Sequence, residues 1–286
     1  MKKMKEQKNK PYETLIYYRD DNNEAKSWEE KIINQLKKNG IKINLDSEKP
    51  EVVIILGGDG TILEAVRKFS KFNPLFLGLN LGHVGFLASV RDENEFINAI
   101  NKFIENKYSI TERMMMDSKV MRNKKIIKNY TALNDVSIQN LLGMVKLSVS
   151  IDNHPLQNIH GSGMLVATAT GSTAYNLSAH GPIVMPDIRC FIITEILDHN
   201  IPTPPLVVKQ NRIIEIKVES FRKREPFLLQ YDGTPADVII SADGESIFAL
   251  QEKDIVRITE SLCSVRFVEF EDNYFFKSLA EKFSFR

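Results

Sequence analysis

The sequence predicts an α/β N-terminal domain, a parallel sheet with flanking helices, followed by a β-rich, mostly antiparallel C-terminal domain and a closing C-terminal helix. Up to about residue 112, short apolar runs typical of strands alternate with helical patterns. After that point, apolar and polar residues alternate with a period of two, and a helical pattern covers Tyr274 to Phe283. We therefore expect domains at residues 1–112 and 113–272, with residues 273–286 able to pack back on the first.

Size and composition indicate a globular protein without the features of a nucleic-acid-binding or membrane protein. The 286 residues are enough for two domains, and the net charge of +1 gives no broad electrostatic case for nucleic acid or an anionic membrane. No apolar run reaches membrane-spanning length, and the basic Met1–Lys10 stretch lacks the apolar segment of a secretory signal. We expect a cytoplasmic protein without nucleic-acid or membrane partners, with Cys190 and Cys263 as buried thiols.

The first elements alternate in the order of a parallel sheet. Strands are predicted at Thr14–Tyr18, Ile41–Leu45 and Val52–Leu56, and a helix capped by Ser27 and ended by Gly40 lies after the first strand. In such sheets, ligands bind beyond the carboxyl ends of the strands. That rule places any site just after Leu56.

The next elements continue the same alternation. Apolar residues at helical spacing follow Thr61, and a strand over Pro74–Leu79 runs into a second glycine-rich turn that ends at Leu87. His83 in this turn is predicted to make a local hydrogen bond. An amphipathic helix is predicted over Asp92–Tyr108.

The second half is predicted to be strands separated by tight turns. Met114–Met116, near the change of period, are predicted to fill the core. Turn signals lie at Asp152-Asn153, Asp232-Gly233 and Asp243-Gly244. The predicted strands are 146–151, 212–218, 237–241, 254–258 and 264–268.

The turn Gly57-Gly58-Asp59-Gly60-Thr61 is the first candidate site. Its glycines let the backbone approach a ligand, and the helix start after it favours an anion. Asp59 suits a carboxylate that accepts a proton from a hydroxyl during phosphoryl transfer. A tight strand–helix connection with a local Asp hydrogen bond explains this stretch alone equally well. The spacing matches neither the dinucleotide fingerprint nor the P-loop.

Two further stretches carry polar groups after apolar strands. In the block from Gly161 to Val184, hydroxyl side chains at 170, 172, 173 and 178 surround Tyr175, which suits a nucleoside pocket; a helix cap at Ser172 or Thr173 is the alternative. Asn134-Asp135 interrupts a strand-like stretch, and it either binds ribose hydroxyls or forms a bulge or edge turn.

These motifs, in this order, resemble the NAD kinase family over roughly residues 50 to 285. The glycine-rich turn at 57–61 is shared with diacylglycerol and sphingosine kinases, and a similar turn serves phosphofructokinases. The block Gly171-Ser172-Thr173-Ala174-Tyr175 with its continuation to Val184 narrows the resemblance to NAD kinases. A lipid or sugar kinase of the wider superfamily and a non-catalytic NAD(P)-binding sensor are the alternatives.

The resemblance implies transfer of the γ-phosphoryl of ATP, or of polyphosphate, to the 2′-hydroxyl of the adenosine ribose of NAD. It assigns Asp59 as the general base, the glycines to phosphate approach, Asn134 and Asp135 to ribose hydroxyls, and Tyr175 to stacking on a base. It therefore predicts substrate and nucleotide contacts at Gly57, Gly58, Gly60, Leu63, Phe86, Asn134, Asp135, His160, Ser162, Thr170, Thr173, Ala174, Tyr175, Asn176, Leu177, Ser178 and Glu245.

The family resemblance also implies partners. NAD and ATP are substrates, a divalent metal (Mg²⁺) accompanies ATP without a metal site of the protein's own, and the chain forms a homo-oligomer (dimer or tetramer). Ser162 stands where the family usually has an acidic residue, and His160 stands where an arginine is common. These departures leave the affinity for NAD open. The sequence also does not decide between ATP and polyphosphate as donor, between NAD and NADH as acceptor, or whether NADP inhibits the protein.

Overall fold

The computed structural model describes residues 13–41, 43–44, 47–82, 85–199, 203–222, 236–271 and 274–283. The chain divides into two compact units, residues 1–112 with 265–286 (unit 1) and residues 113–264 (unit 2). The α/β and β-rich halves and the C-terminal helix predicted from the sequence are confirmed. Met1–Lys10, His83 and Asp232-Gly233 lie outside the described residues.

The helices and strands are numbered in chain order. They are β1 (Thr14–Tyr17), α1 (Asn23–Lys38), β2 (Val52–Leu56), α2 (Asp59–Phe69), β3 (Leu75–Leu79), α3 (Phe96–Ile104), β4 (Ser109–Arg122), β5 (Lys125–Ala132), β6 (Asp135–Asn140), β7 (Val145–Ile151), β8 (His154–Thr168), α4 (Tyr175–Ser178), β9 (Cys190–Asp198), β10 (Leu206–Lys209), β11 (Ile214–Phe221), β12 (Val238–Ala242), β13 (Ser246–Leu250), β14 (Ile255–Glu269) and α5 (Tyr274–Phe283).

Unit 1 is built on parallel strands. β2 pairs with β1 and with β3, and the end of β14 pairs in parallel with β3, placing Arg266 beside Leu75. All five residues of β2 are buried, as expected for a strand covered on both faces. Its core joins these strands to the apolar faces of α1 and α3. The carboxyl ends of β1, β2 and β3 therefore share one edge of the sheet.

Three sequence predictions in unit 1 were wrong in detail. The cap of α1 is Asn22, whose side chain accepts a hydrogen bond from the Ala25 N–H at 3.0 Å, instead of Ser27. The helix predicted over Asp92–Tyr108 is α3 preceded by a short 3₁₀ turn, and it ends at Ile104. In the predicted strand at 41–45, the described part forms only an isolated bridge from Ile43 to Thr14.

Unit 2 is built on antiparallel strand pairs. Neighbouring strands follow the order β11, β7, β8, β6, β12, β13; β8 also pairs with β9, which pairs with β10. β8 changes partner along its length, from β7 up to Gly161 to β6 from Gly163 onward. The positive φ of Gly163 (156°) and the 2.0 Å that would separate an added Cβ from the Ile138 carbonyl oxygen require glycine there.

Several predictions in unit 2 can be compared directly with the structure. The tight turns at Asp152-Asn153 and Asp243-Gly244 are present, with positive φ at all four residues, and Met114–Met116 are buried. The two predicted strands at 254–258 and 264–268 are one strand, β14. Cys190 is buried as predicted, but Cys263 is exposed. Successive side chains of a strand point to opposite faces of the sheet, so apolar neighbours in the sequence do not by themselves bury a residue.

None of the helices in the part of the chain described above is long and apolar enough to cross a membrane.

Candidate active site

The glycine-rich turn joins β2 to α2 at the carboxyl edge of the parallel sheet. Gly57 has φ of 150°, and an added Cβ would lie 2.6 Å from the Thr61 Oγ1, so the turn is closed tightly onto the helix. Gly58 is the N-cap of α2, and no side chain among the described residues caps it. The N-terminus of α2 therefore presents backbone N–H groups and a positive field toward any anion beyond the turn.

Asp59, the first residue of α2, has its carboxylate fixed by a neighbouring loop. The Phe86 N–H donates to its Oδ2 at 2.8 Å, and the Leu87 N–H donates to its Oδ1 at 3.2 Å. Each carboxylate oxygen can accept more than one hydrogen bond, so both oxygens keep capacity for a substrate hydroxyl. The loop thus orients the carboxylate without using up its acceptors.

Gly85 makes that arrangement possible. A Cβ added at Gly85 would lie 2.1 Å from the Asp59 Oδ1 and 2.5 Å from its Cγ. The carboxylate therefore occupies the space that any larger residue at position 85 would fill. The sequence placed Gly85 in a glycine-rich turn, but only the structure shows which side chain that turn receives.

Arg19 is a candidate that the sequence analysis missed. It follows β1, and its Nη2 lies 3.4 Å from the position of an added Gly60 Cβ, next to the glycine-rich turn. Its Nε lies 3.2 Å from the Glu64 Oε2 on the second turn of α2. The sequence contains a signal for Arg19, because a cation that directly follows one parallel strand lies at the same sheet edge as the turn that follows the neighbouring strand.

The acid that holds Arg19 stays ionised. A hydrogen bond from the Tyr17 hydroxyl, with further bonds from Lys68 and Arg19, lowers the pKa of Glu64. Lys68 also donates to the Tyr17 hydroxyl at 2.7 Å. These contacts fix Glu64 as a carboxylate, so the Arg19 guanidinium has a charged partner beside the turn.

Asp135 is the first residue of β6 in unit 2, Asn134 directly precedes it, and the Asp243 side chain holds the backbone of both. The Asp243 carboxylate accepts the backbone N–H groups of Leu133, Asn134 and Asp135 at 2.9, 2.7 and 3.2 Å. Three N–H donors on one carboxylate fix the backbone of the polar pair. From the sequence, Asp243 is predicted only as part of a tight turn, because a turn signal does not show where the side chain points.

Asp135 has an unusual acidity. Its side chain is 6% exposed, and burial, with the nearby charge of Asp243, raises its pKa to about 7. A carboxyl group that changes charge near neutral pH is typical of functional sites.

Tyr175 and the turn before it lie beside this pair. The Tyr175 hydroxyl donates to the Gln139 Oε1 at 3.0 Å, and burial, with the charge of Asp135, raises the pKa of Tyr175. The Thr168 N–H donates to the Asn134 carbonyl oxygen at 2.8 Å. An added Cβ at Gly171 would lie 2.1 Å from the same oxygen, so the turn at 170–173 rests directly on Asn134. The structure thus brings the Asn134-Asp135 pair and the block around Tyr175 together.

Two polar side chains of the block from Gly161 to Val184 make hydrogen bonds within the protein. The Ser172 hydroxyl exchanges hydrogen bonds with the Val184 backbone, and α4 starts after Ala174 without a side-chain cap, so the alternative of a helix cap at Ser172 or Thr173 is not what the structure shows. The Asn176 amide, fully buried, donates to the Pro182 carbonyl at 3.1 Å and accepts from the Thr194 hydroxyl at 2.8 Å. The predicted nucleotide contact of Asn176 stays a prediction.

The other predicted site residues differ in exposure. Phe86 is buried, as is Thr170. Half-buried residues are Leu63 on α2, His160 and Ser162 on β8, and Thr173, Ala174 and Leu177; Ser178 and Glu245 are exposed. Their predicted contacts stay predictions.

The described residues contain no group of three or more His, Cys, Asp or Glu side chains that could hold a metal ion. Mg²⁺ typically binds through one or two carboxylates together with substrate phosphates and water. Asp59, the carboxylate at the glycine-rich turn, fits that kind of nucleotide-borne metal.

Sequence comparison decides the family. The family model described as ATP-NAD kinase N-terminal domain matches residues 21–108, and the one described as ATP-NAD kinase C-terminal domain matches residues 133–270. An NAD kinase of Natranaerobius thermophilus is 31% identical over 245 residues, 85% of this chain and 81% of that protein. The chain belongs to the NAD kinase family. An NAD kinase of Moorella thermoacetica, 35% identical over 81% of this chain and 70% of its own length, agrees.

Solved structures of NAD kinases share the fold. Yeast NADH kinase complexed with NADH superposes with a TM-score of 0.82 at 21% identity, covering 97% of this chain and 89% of that one. An NAD kinase from Archaeoglobus fulgidus in complex with ATP has a TM-score of 0.74 at 23% identity, covering 96% and 99%. The resemblance found in the sequence is confirmed, and the chain is an enzyme with NAD kinase function.

Proposed function

We propose that this NAD kinase uses Asp59 as the general base that accepts the proton of the adenosine ribose 2′-hydroxyl of NAD while the γ-phosphoryl of ATP is transferred to it. The observation that carries the proposal is the Asp59 carboxylate, fixed by the Phe86 and Leu87 N–H groups at the end of the glycine-rich turn. A base must be positioned before its strength matters. The turn itself supplies N–H groups for the phosphate chain.

The acceptor is bound by residues of unit 2. Asn134 and Asp135 offer an amide and a carboxylate to ribose hydroxyls, and Asp243 holds their backbone in place. Tyr175 is 36% exposed, which leaves part of its ring for stacking on a base. Asp135 is close enough to Tyr175 for its charge to act on the Tyr175 hydroxyl and raise its pKa.

Asp135 is expected to make NAD binding depend on pH near neutrality. Its pKa is about 7, and an ionised carboxylate accepts a hydroxyl hydrogen bond more strongly than a protonated one. The KM for NAD should therefore fall as pH rises through about 7 and level off above it, and Asp135→Asn should remove this change. Initial rates at fixed saturating ATP across this range check it. An unchanged pH dependence in Asp135→Asn would assign the titration to another group.

The same shift affects stability in the opposite direction. Because the folded pKa lies above the ordinary value of 3.8, the contribution of Asp135 to the unfolding free energy should fall as pH rises from about 4 to about 7, and then stay constant. Urea unfolding curves measured across this pH range should show that this fall is absent in Asp135→Asn.

Arg19 is expected to bind the donor phosphates. Charge neutralisation is a main requirement of phosphoryl transfer, and Arg19 lies against Gly60 of the phosphate turn. Arg19→Met should raise the KM for ATP by about tenfold, the effect of one charge-assisted hydrogen bond, and leave the KM for NAD unchanged. Arg257→Met is the matched control, because Arg257 pairs with Glu215 at similar exposure in unit 2. Equal effects of the two variants would contradict this role.

ATP is the donor that we propose, and NADH is a second candidate acceptor. Relatives with the same fold carry ATP or NADH in their crystals. Mg²⁺ entering with ATP would be held by phosphate oxygens and water, with Asp59 as the neighbouring carboxylate, and would neutralise phosphate charge. The homo-oligomer, the cytoplasmic location and the absence of a nucleic-acid partner stay predictions.

A donor and acceptor panel tests the proposal. The purified chain with Mg²⁺ is given ATP or polyphosphate as donor and NAD, NADH, a diacylglycerol or a sugar phosphate as acceptor. We expect NADP from ATP and NAD. Phosphorylation of the lipid or sugar with NAD untouched would favour the wider kinase superfamily, and NAD binding by calorimetry without turnover would favour a sensor.

A further inference from the structure

The C-terminal helix α5 packs on the loop that holds Asp59. Within unit 1, the Phe86 ring lies 5.9 Å from the Phe275 ring and is stacked on Phe283 at 6.2 Å, measured between ring centroids. The Lys282 Nζ lies 5.0 Å from the centroid of the Phe86 ring. Phe86 is 4% exposed, so most of its ring surface is covered by the protein.

Phe86 therefore connects α5 to the carboxylate. Its side chain packs on the helix, and its backbone N–H donates to the Asp59 Oδ2 at 2.8 Å. The next residue, Leu87, donates its N–H to the other carboxylate oxygen. A displacement of the Phe86 backbone would move both donors, because they belong to consecutive peptide units.

A second set of contacts fixes α5 close to the same loop. The Arg91 Nε donates to the Tyr274 hydroxyl at 3.0 Å, and the guanidinium lies 4.4 Å from the centroid of that ring. Arg91 also donates to the Ser278 hydroxyl and to Glu281 one turn further along the helix. Ser278 is fully buried. The chain from Phe86 to Arg91 is thus attached to α5 at both ends.

We infer that α5 is a positioning element for Asp59, acting through Phe86. This inference rests on the proposed role of Asp59 as the base. General-base catalysis requires the carboxylate at a fixed distance and angle from the hydroxyl, and errors of about 1 Å cost up to about 10²-fold in rate. Acceptor binding by Asn134, Asp135 and Tyr175 does not depend on these contacts. Loss of the α5 contact should therefore lower kcat and spare the KM for NAD.

Phe275→Ala tests this in the full-length chain, with Phe276→Ala as matched control. The two residues are neighbours on α5, but Phe275 packs on Phe86 whereas Phe276 is 56% exposed. At saturating ATP, Mg²⁺ and NAD, well below the melting temperature, Phe275→Ala should lower kcat by about tenfold with the KM for NAD within about twofold. Phe276→Ala should keep both values, and Phe275→Leu should recover most of kcat by refilling the space.

A second readout does not depend on activity. Hydrogen exchange of the Phe86 and Leu87 amides should be at least about tenfold faster in Phe275→Ala than in Phe276→Ala, because α5 no longer holds the loop that carries these donors. If the wild type made no NADP, the proposed function would fail. Faster amide exchange in Phe275→Ala would still support the link between α5 and Asp59. Should Phe275→Ala not fold, Phe283→Ala takes its place with the same criteria.

Two results would overturn the inference. One is equal kcat and equal amide exchange in the Phe275→Ala and Phe276→Ala proteins. The other is a raised KM for NAD with unchanged kcat, which would make Phe86 a wall of the nucleoside pocket instead of a link to Asp59.

Discussion

Asp59→Asn is expected to remove nearly all of the rate of NADP formation while the chain remains folded. The carboxamide has the size of the carboxylate but cannot accept a proton, so kcat should fall by about 10²–10⁴-fold, the usual contribution of a general base. One of its two polar atoms becomes an N–H₂ group facing the Phe86 or Leu87 N–H, so a modest loss of stability, about 1–3 kcal/mol, accompanies the loss of activity.

The measurement is a time course of NADP formation at saturating ATP and NAD, with thermal unfolding of the same samples. Asp187→Asn, at an exposed carboxylate in unit 2, serves as control and should match the wild type. If Asp59→Asn retained more than about a tenth of kcat, the carboxylate would serve binding or metal contact instead of proton transfer.

Gly85→Ala is expected to remove activity by displacing the base without changing it. The new methyl group would lie 2.1 Å from the Asp59 Oδ1 and 2.7 Å from its Oδ2, so the carboxylate must leave the Phe86 and Leu87 N–H groups. A misplaced base costs on the order of 10²-fold in kcat. Steady-state kinetics should show this loss with the KM for NAD little changed.

Gly82→Ala is the matched control in the same loop. Among the residues that the structure describes, an added Cβ there would meet only the Asn80 Oδ1 at 3.9 Å, an ordinary van der Waals distance. It should therefore keep kcat within about threefold of the wild type. Equal kcat in Gly85→Ala and the wild type would mean that the Asp59 orientation in this structure is not the catalytic one.

The sequence predicted most of the fold because its periodic patterns are local. Val52–Leu56 is an unbroken apolar run, and it forms the fully buried β2 as predicted. The tight turns at Asp152-Asn153 and Asp243-Gly244 were predicted from residue types that tolerate positive φ, and they have it. Boundaries were less certain, since Asn22 and Ser27 are both good helix caps and only the chain path selects Asn22.

The candidate site was predictable where a motif is continuous in sequence. The turn at 57–61, Asn134-Asp135 and the block around Tyr175 were all found in this way. The residues that orient them were not, because their partners are distant in the chain. Asp243 lies 108 positions after Asp135, and Phe86 lies 27 positions after Asp59, so neither contact leaves a local pattern.

The position of the transferred phosphate in the product tests the account most directly. Phosphorus and proton NMR of the product made from ATP, Mg²⁺ and NAD should show a monoester on the 2′-oxygen of the adenosine ribose, formed by the wild type and not by Asp59→Asn. A phosphate on the 3′-oxygen, on the nicotinamide ribose or on no NAD atom at all would contradict the proposal that Asp59 activates the 2′-hydroxyl.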